Sequence, residues 1–430
     1  MYDLIIIGAG WAGFNAALKA KELGLKVCLI DKASLGGTCL NQGCIPTKTL
    51  IQSAKIYSLI KKSADFGINV GTYEIDFSKI QERKTKIIQQ LGLGMKFMLK
   101  GIDFISAEAK IVSNTQVHAG NRALETKFIL IATGSKPQEL PNFKFDGKKI
   151  ISSNQALELK ELPKNILIIG GGVIGSEFAS LFSTFSAQVT LVEKMPQLLP
   201  GEDKDVARKL EQIFKKKSVD VHTNTDASGF SLKDFDLILL SVGRSANTLN
   251  LGLEEAGVKL ENGKIITDNY LKTNIANIYA AGDCTGKIML AHFAGYQGEL
   301  AVENIASDNS KMIDSRVVPN CIFTDPEIAS VGLNEAAAKN NAIDINIHKF
   351  DFLGCGMARI LGESEGFIKI ISDKNNDKIL GASIIGPKAT ELIGILGLAV
   401  KNELKTIQII DTIFAHPTLS EAIGQALKGK

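Results

Sequence analysis

Two stretches of the chain repeat one pattern of apolar and polar positions. Leu4-Ile5-Ile6-Ile7 is a short unbroken apolar run rich in β-branched residues, which predicts a strand buried on both faces. It leads into Gly8-x-Gly10-x-x-Gly13, a helical stretch to Leu23, a stop at Gly24, and the apolar run Val27-Cys28-Leu29-Ile30 closed by Asp31. The order recurs as Ile166-Leu167-Ile168-Ile169, Gly170-x-Gly172-x-x-Gly175, a helix to about Phe185, Val189-Thr190-Leu191-Val192 and Glu193. In both copies the acid falls 18 positions after the third glycine.

A strand before the glycines and a helix opening on them is the setting in which such a fingerprint binds a dinucleotide. The first glycine makes the turn, the second lets the backbone approach a pyrophosphate, and the third lets helix and strand pack closely. The free N–H groups of the helix start favour the anion, and the acid accepts bonds from ribose hydroxyls. Two such units suggest two dinucleotides and an electron relay from a flavin to a nicotinamide. Phe128 to Ser135 predicts a strand and turn returning the chain within the first unit. Asn277 to Asp283 predicts another strand, ending in an acid placed for a flavin's ribityl hydroxyls. The first unit is therefore expected to be interrupted, with residues 1–144 and 269–313 in one domain and 145–268 inserted as the second. From 314 to 430 the fingerprint is gone. Short strands such as Gly366 to Ile371 and Ile379 to Ile385, with an apolar helix near 389–402, predict an α+β domain suited to self-association. The fold class expected is α/β.

Composition changes this picture little. The chain has 430 residues, enough for two or three domains, and 45% of them are hydrophobic. A net charge of +3 is too small to point to nucleic acid or an anionic membrane. The one basic run, Lys215-Lys216-Lys217, falls where a helix should end and suits its dipole. No stretch is long and apolar enough to span a membrane, and the N-terminus enters a strand without a basic signal region, so a cytoplasmic location is expected. Six cysteines are too sparse for a disulfide scaffold in a reducing compartment. A bridge here should be one that opens and closes in use.

Gly36-Gly37-Thr38-Cys39-Leu40-Asn41-Gln42-Gly43-Cys44-Ile45-Pro46-Thr47-Lys48 offers such a pair. Residues five apart on a regular helix rise by about 7.5 Å, and a bridge needs Cα atoms closer than about 7 Å. The helix must be distorted, with Gly43 giving slack. Strained bridges are the readily reduced, catalytic ones, and a glycine-rich helix start favours the thiolate. A metal site would want closer spacing and four ligands, so no metal is expected. Cys28 is a core strand position; Cys284, Cys321 and Cys355 have no partner at useful spacing, and Cys284 is notable only for its neighbour Asp283. Thiol exchange also needs a base near neutral pH. His416, in Phe414-Ala415-His416-Pro417-Thr418-Leu419-Ser420-Glu421, is the candidate, with Glu421 to orient the ring; a core histidine is the plainer alternative. His118, His222 and His348 are expected at the surface. His292 is expected to serve through its backbone at a helix start.

The order of these motifs resembles the FAD- and NAD-linked pyridine nucleotide-disulfide oxidoreductases, and within them the dihydrolipoamide dehydrogenases more than the glutathione or mercuric reductases. The resemblance rests on Gly36 to Lys48, Met289 to His292, Val318-Pro319-Asn320 with Phe323 to Glu327, Ile385-Gly386-Pro387, and His416 to Glu421. It implies two Rossmann-like domains, for FAD and NAD, and a C-terminal dimerisation domain. It further implies that Cys39 exchanges with substrate and Cys44 faces the flavin as a charge-transfer thiolate. His416 with Glu421 would be the acid–base catalyst, acting in the other subunit's site, and Lys48 with Glu177 an ion pair near the isoalloxazine. FAD would lie on Gly8, Gly10, Gly13, Asp31, Gly37, Thr38, Thr133, Gly134, Ser135, Asp283, Met289, Leu290, Ala291 and His292. NAD would lie on Gly170, Gly172, Gly175, Glu193 and Gly243. The implied activity is oxidation of protein-bound dihydrolipoamide, with a homodimer and the lipoyl domains of 2-oxo-acid dehydrogenase or glycine-cleavage complexes as partners.

Glu193 independently favours NAD, since a carboxylate repels a 2′-phosphate, although Lys194 beside it works the other way. The C-terminal run Gln425 to Lys430 carries no cysteine pair, and no lipoyl or mercury-binding segment precedes the first strand. Phe414 stands where the family usually has histidine. Between Val219 and Asp236 there is room for one strand and a loop instead of the family's antiparallel excursion, and the connection from Thr115 to Lys127 is trimmed. The rival expectations are a reductase of another disulfide such as glutathione, an NADH diaphorase or oxidase that ignores disulfides, and a flavin-bearing structural subunit.

Overall fold

The strand Tyr2–Ile7 lies at the centre of a twisted parallel sheet, because its four apolar residues are covered on both faces. The structure is a computed structural model describing residues 1–308 and 311–429; the C-terminal Lys430 and residues 309–310 of the expected 269–313 segment lie outside it. Strand order in this first sheet runs Asp103–Ser106, Val27–Asp31, Tyr2–Ile7, Arg122–Ile131, and then a hairpin of Gln116–Ala119 and Ala109–Ser113. Ile5 faces Cys28 on one side and Ile129 on the other, all in register. Ile278–Ala280 also pairs in parallel with Arg122–Ile131, so the chain does return to the first unit after the second.

It returns sooner than the sequence suggests. Leu253, Val258 and Ile265 pack with Ile5, Cys28 and Ile278, and the Ile111 amide donates to Leu251 O at 2.8 Å. Residues 251–265 thus lie against the first sheet, ahead of the expected resumption at 269. The reason is local: this stretch covers the sheet through short turns, with no periodic run to announce it.

The second sheet is wholly parallel, in the order Asp220–His222, Gln188–Val192, Asn165–Ile169, Leu237–Leu240, Ile150–Ile151. Between Val219 and Asp236 there is one three-residue strand and two 3₁₀ turns. The two units are stitched by an antiparallel pair, Ser135–Pro137 with Arg244–Ala246.

The third unit is a five-stranded antiparallel sheet with the apolar helix Ala389–Lys401 on it; Ile368, Ile384, Leu396 and Ile423 lie in its core. Lys369, 1% exposed, joins it to the second unit. Its ammonium meets Asp203 at 2.8 Å, Asp205 at 2.7 Å and Glu335 at 2.8 Å. Those three carboxylates lie close enough to suggest a cation site, and the lysine is the cation that they hold. Among the described residues, no helix is long and apolar enough to cross a membrane.

Candidate active site

The two fingerprints fold alike, and the backbone shows why each needs glycine. A Cβ at Gly13 would lie 1.8 Å from Gly8 O, and one at Gly175 would lie 1.8 Å from Gly170 O. Gly8 and Gly170 have φ of 107° and 103°, in the region that favours glycine. Each acid latches its own loop. Asp31 accepts from the Ala9 and Ala33 amides at 2.6 and 2.7 Å, and Glu193 accepts from the Gly171 and Met195 amides at 2.7 Å each. Both carboxylates are expected to meet ribose. Here both oxygens of each already take one backbone bond, and a carboxylate has lone pairs left for more.

Gly170, Gly172, Glu193 and Gly243 line an open cleft of about 730 Å³, and a Cβ at Gly172 would meet nothing within 4 Å. That is a cradle a dinucleotide fits. Met289, expected with the flavin set, lines this cleft as well. The first fingerprint opens on a second glycine approach: a Cβ at Gly37, φ 56°, would come within 2.6 Å of Gly10 Cα. Leu290 caps the helix Ala291–Ser307, which crosses the helix Trp11–Glu22 so tightly that a Cβ at Gly298 would lie 2.1 Å from Ala12 O. Gln297 on that helix accepts the Gly282 amide at 2.7 Å, while its buried Nε2 has no partner. An unused buried donor beside Gly282 and Asp283 fits a ligand oxygen there. Thr133 donates to Asn247 O at 2.6 Å, and Gly134 takes φ 70° in the turn. His292, expected to act through its backbone, has its ring engaged too: Nε2 lies 2.9 Å from Pro319 O, and burial holds the imidazole below its usual pKa.

The cysteine segment is not one helix. Gly37–Gln42 ends at Gly43, whose φ of −149° and ψ of −113° break the turn, and Cys44–Lys61 starts afresh. The break brings the two sulfurs into hydrogen-bond contact, unbridged. The Cys39 S–H donates to Cys44 and holds that thiol down to about 7, with the Lys48 ammonium acting the same way against burial and Glu177. The same bond, with burial, pushes Cys39 far up. The two thiols thus titrate as a pair, and the Lys48 ammonium favours a thiolate on it. Lys48 reaches both oxygens of Glu177 at 2.8 Å and lies 4.7 Å from the Phe323 ring centre; the Phe323 amide donates to Glu177 at 2.9 Å. Cys39, Cys44, Lys48 and Glu177 therefore form one cluster, spread over 139 positions of sequence.

His416 is elsewhere. Its Nδ1 lies 2.9 Å from Glu421, whose other oxygen accepts the Thr418 amide at 2.8 Å, and the ring is 80% exposed. It is not among the groups acting on either thiol, which include Lys48, Glu177 and Asp283. Cys284 is fully buried, its thiol directed at Ile131 O and Ala281 O and pushed up to about 12 by burial.

Residues 2–298 match the pyridine nucleotide-disulphide oxidoreductase pattern, and residues 318–427 match the dimerisation domain of the same proteins. The chain belongs to the pyridine nucleotide-disulphide oxidoreductase family. It is similar to a dihydrolipoyl dehydrogenase of Bacillus subtilis, 38% identical over 99% of this chain and 97% of that one. A dihydrolipoyl dehydrogenase of Chlamydia muridarum is 39% identical over 98% and 95%. Among solved structures, LpdA of Mycobacterium tuberculosis aligns with a TM-score of 0.91 at 27% identity, over 99% of each chain. The HOCl-induced flavoprotein disulfide reductase RclA of Escherichia coli aligns at 0.89 and 28%, over 99% of this chain and 100% of that one. Membership makes the protein an oxidoreductase that works with FAD and NAD, and gives it a C-terminal domain for forming a homodimer.

The sequence reading missed Arg244. Its guanidinium donates to Ser135 Oγ at 2.7 Å and Ser135 O at 2.8 Å and reaches Thr38 at 3.5 Å; Ser135 in turn donates to Asp283 at 2.5 Å. The available signal was an arginine directly after the glycine that ends a buried strand, Ser241-Val242-Gly243-Arg244.

Proposed function

We propose that the protein oxidises the dithiol of a protein-bound dihydrolipoyl group, with NAD⁺ as final acceptor and Cys39 and Cys44 as the exchanging pair. The observation that carries this is geometric: the break at Gly43 sets Cys39 and Cys44 side by side, with the Lys48–Glu177 pair next to them and the Lys48 ammonium favouring a thiolate. With the pair oxidised, one substrate thiolate attacks Cys39 Sγ. The Cys39–Cys44 bond breaks, and Cys44 leaves as the thiolate that Lys48 favours. The second substrate thiolate attacks the substrate sulfur of the mixed disulfide, closing the lipoyl ring and releasing Cys39, which takes a proton and hydrogen-bonds to Cys44. His416, contributed by the second subunit and oriented by Glu421, accepts the substrate protons.

The first fingerprint, with Thr38, Thr133, Gly134, Ser135, Asp283 and the start of Ala291–Ser307, would hold FAD, which would supply two-electron chemistry between the sulfurs and the nicotinamide. Lys48 and Glu177 would flank its reactive edge. NAD would occupy the cleft on Gly170, Gly172, Gly175, Glu193 and Gly243. The boundaries that serve this reading are residues 1–144 with the return from about 251 to 313, the inserted second unit, and 314–430. The relatives' names point to lipoyl domains as the natural partners, and the exposed His416 ring fits a substrate arm that enters between two subunits.

The test is anaerobic titration of the flavin-loaded protein with dihydrolipoamide. A long-wavelength absorption band should rise and then be discharged by NAD⁺, and Cys44→Ser should abolish it. Full lipoamide turnover by Cys44→Ser, or a faster reaction with glutathione than with lipoamide, would refute the assignment.

A further inference from the structure

We infer that Asp226 is a specificity residue for the pyridine nucleotide: its carboxylate neutralises Lys194 at the ribose end of the cleft, so a 2′-phosphate finds no free cation there. This rests on the cleft being the NAD site proposed above.

The sequence alone leaves the ribose end ambiguous, because Glu193 and Lys194 are adjacent and opposite in charge. The fold resolves it. The Thr225 amide donates to Glu193 O at 3.0 Å and the Asn224 amide to Met195 O at 2.8 Å. Those two bonds lay residues 224–226 alongside 193–195 and bring Asp226 Oδ2 to 4.0 Å from Lys194 Nζ. Four charged side chains line the cleft: Glu193, Lys194, Asp226 and Arg244. Arg244 is committed to Ser135 at the other end. Lys194 is then the one cation at the ribose end among the described lining residues, facing two acids. Both acids are held in place, Glu193 by two amides and Asp226 through Oδ1 by the Ser228 amide at 2.9 Å. An exposed pair like Lys194–Asp226 contributes little to stability. Its effect lies in the local potential, which two carboxylates and one ammonium leave negative where a 2′-phosphate would bring two more charges.

The shortened segment after Val219 makes this possible. With only a three-residue strand there, the 3₁₀ turn Ala227–Gly229 folds directly against the cleft and carries Asp226 with it.

The experiment uses the flavin-loaded dimer and reads calorimetric binding of 5′-AMP and of 2′,5′-ADP, which differ by the 2′-phosphate alone. Asp226→Asn keeps an oxygen for the Ser228 amide and removes the charge. It should tighten 2′,5′-ADP relative to 5′-AMP by about 3- to 10-fold at low salt, an advantage that high ionic strength erases. Adding Lys194→Met to Asp226→Asn should abolish the gain, because the freed ammonium is its source. Flavin content and near-ultraviolet circular dichroism, matched to the parent, establish that each variant is folded. A ratio unmoved in Asp226→Asn, or a gain that survives Lys194→Met, overturns the inference and leaves the cleft assignment standing. Failure of the parent protein to bind 5′-AMP overturns the cleft assignment and this inference with it.

Discussion

Replacing Cys39 by alanine in the reduced enzyme removes the one group in direct contact with the Cys44 sulfur. The Cys39 S–H is the largest influence holding Cys44 down to about 7 from an ordinary 9.0, with Lys48 second in that direction and burial opposing both. A shift of that size is a preference for the anion of a few kcal/mol. Without the donor, burial and Glu177 are countered only by Lys48 and a backbone N–H, so the thiol should titrate well above 7. The sign follows: a depressed acid loses its anion as pH falls through its own value. The parent's Cys44 thiolate should therefore fade near pH 7, and the variant's at clearly higher pH. At pH 7 the anionic fraction should drop from about one half to a small fraction. Cys39→Ser keeps an O–H donor and should recover part of the difference. Lys48→Met should raise the titration less than Cys39→Ala does. Glu177→Gln should lower it, since Glu177 repels the anion, and Gln can still accept the Phe323 amide. The assay is the pH dependence of Cys44 alkylation, with the long-wavelength flavin band as a second readout. A midpoint unmoved in Cys39→Ala, or moved upward by Glu177→Gln, would refute this account of the pair.

Lys369→Met should leave Asp203, Asp205 and Glu335 around an apolar side chain and cost about 3–5 kcal/mol, read as a fall in Tm. Burial disfavours the ammonium, but the three carboxylates outweigh it and raise its pKa, so its contribution is complete at neutral pH and is lost as pH rises through that elevated value; parent and variant melting curves should converge only in strong alkali. Mixing two inactive proteins, Cys39→Ser and His416→Gln, under conditions that exchange subunits should restore roughly a quarter of parental turnover, since a mixed dimer regains one of two shared sites; no recovery despite exchange would show that His416 serves its own chain's cysteines or none.

What could be read from the sequence was what is local. The glycine fingerprints, the strand runs beside them and the cysteine segment are short patterns whose chemistry is set by spacing, and Gly43 was visible as the break because a helix cannot close a five-residue bridge unaided. The Lys48–Glu177 pair was legible only through resemblance, since 129 positions separate its members. Arg244 and Ser135 lie 109 apart and meet because two short strands stitch the nucleotide units together. Nothing periodic marks either strand. The contacts of 251–265 with the first sheet escaped for the same reason, and so did Lys369, a lone charge in an otherwise apolar run until three acids from other elements close around it. Long-range polar contacts carry no period, and a sequence offers only periods, spacings and likeness.

His416 shows where one chain stops being enough. Its ring is oriented by Glu421 and otherwise exposed, and three positions earlier in the chain Ile413 is 97% exposed. A histidine with its tautomer fixed and nothing to act on is half of a device. Among the described residues, no histidine acts on either thiol of the cysteine cluster. Exposed apolar residues lie on the third unit at Leu398 and Ile407 and on the long helix of the first at Leu93 and Phe97. Surface of that kind is what a partner covers. In a homodimer built on the family's dimerisation domain, covering it with a second copy is the simplest way to bring one chain's base to the other chain's sulfurs. Loss of the interface should then abolish disulfide exchange while leaving the nucleotide cleft, lined by residues of a single chain, intact.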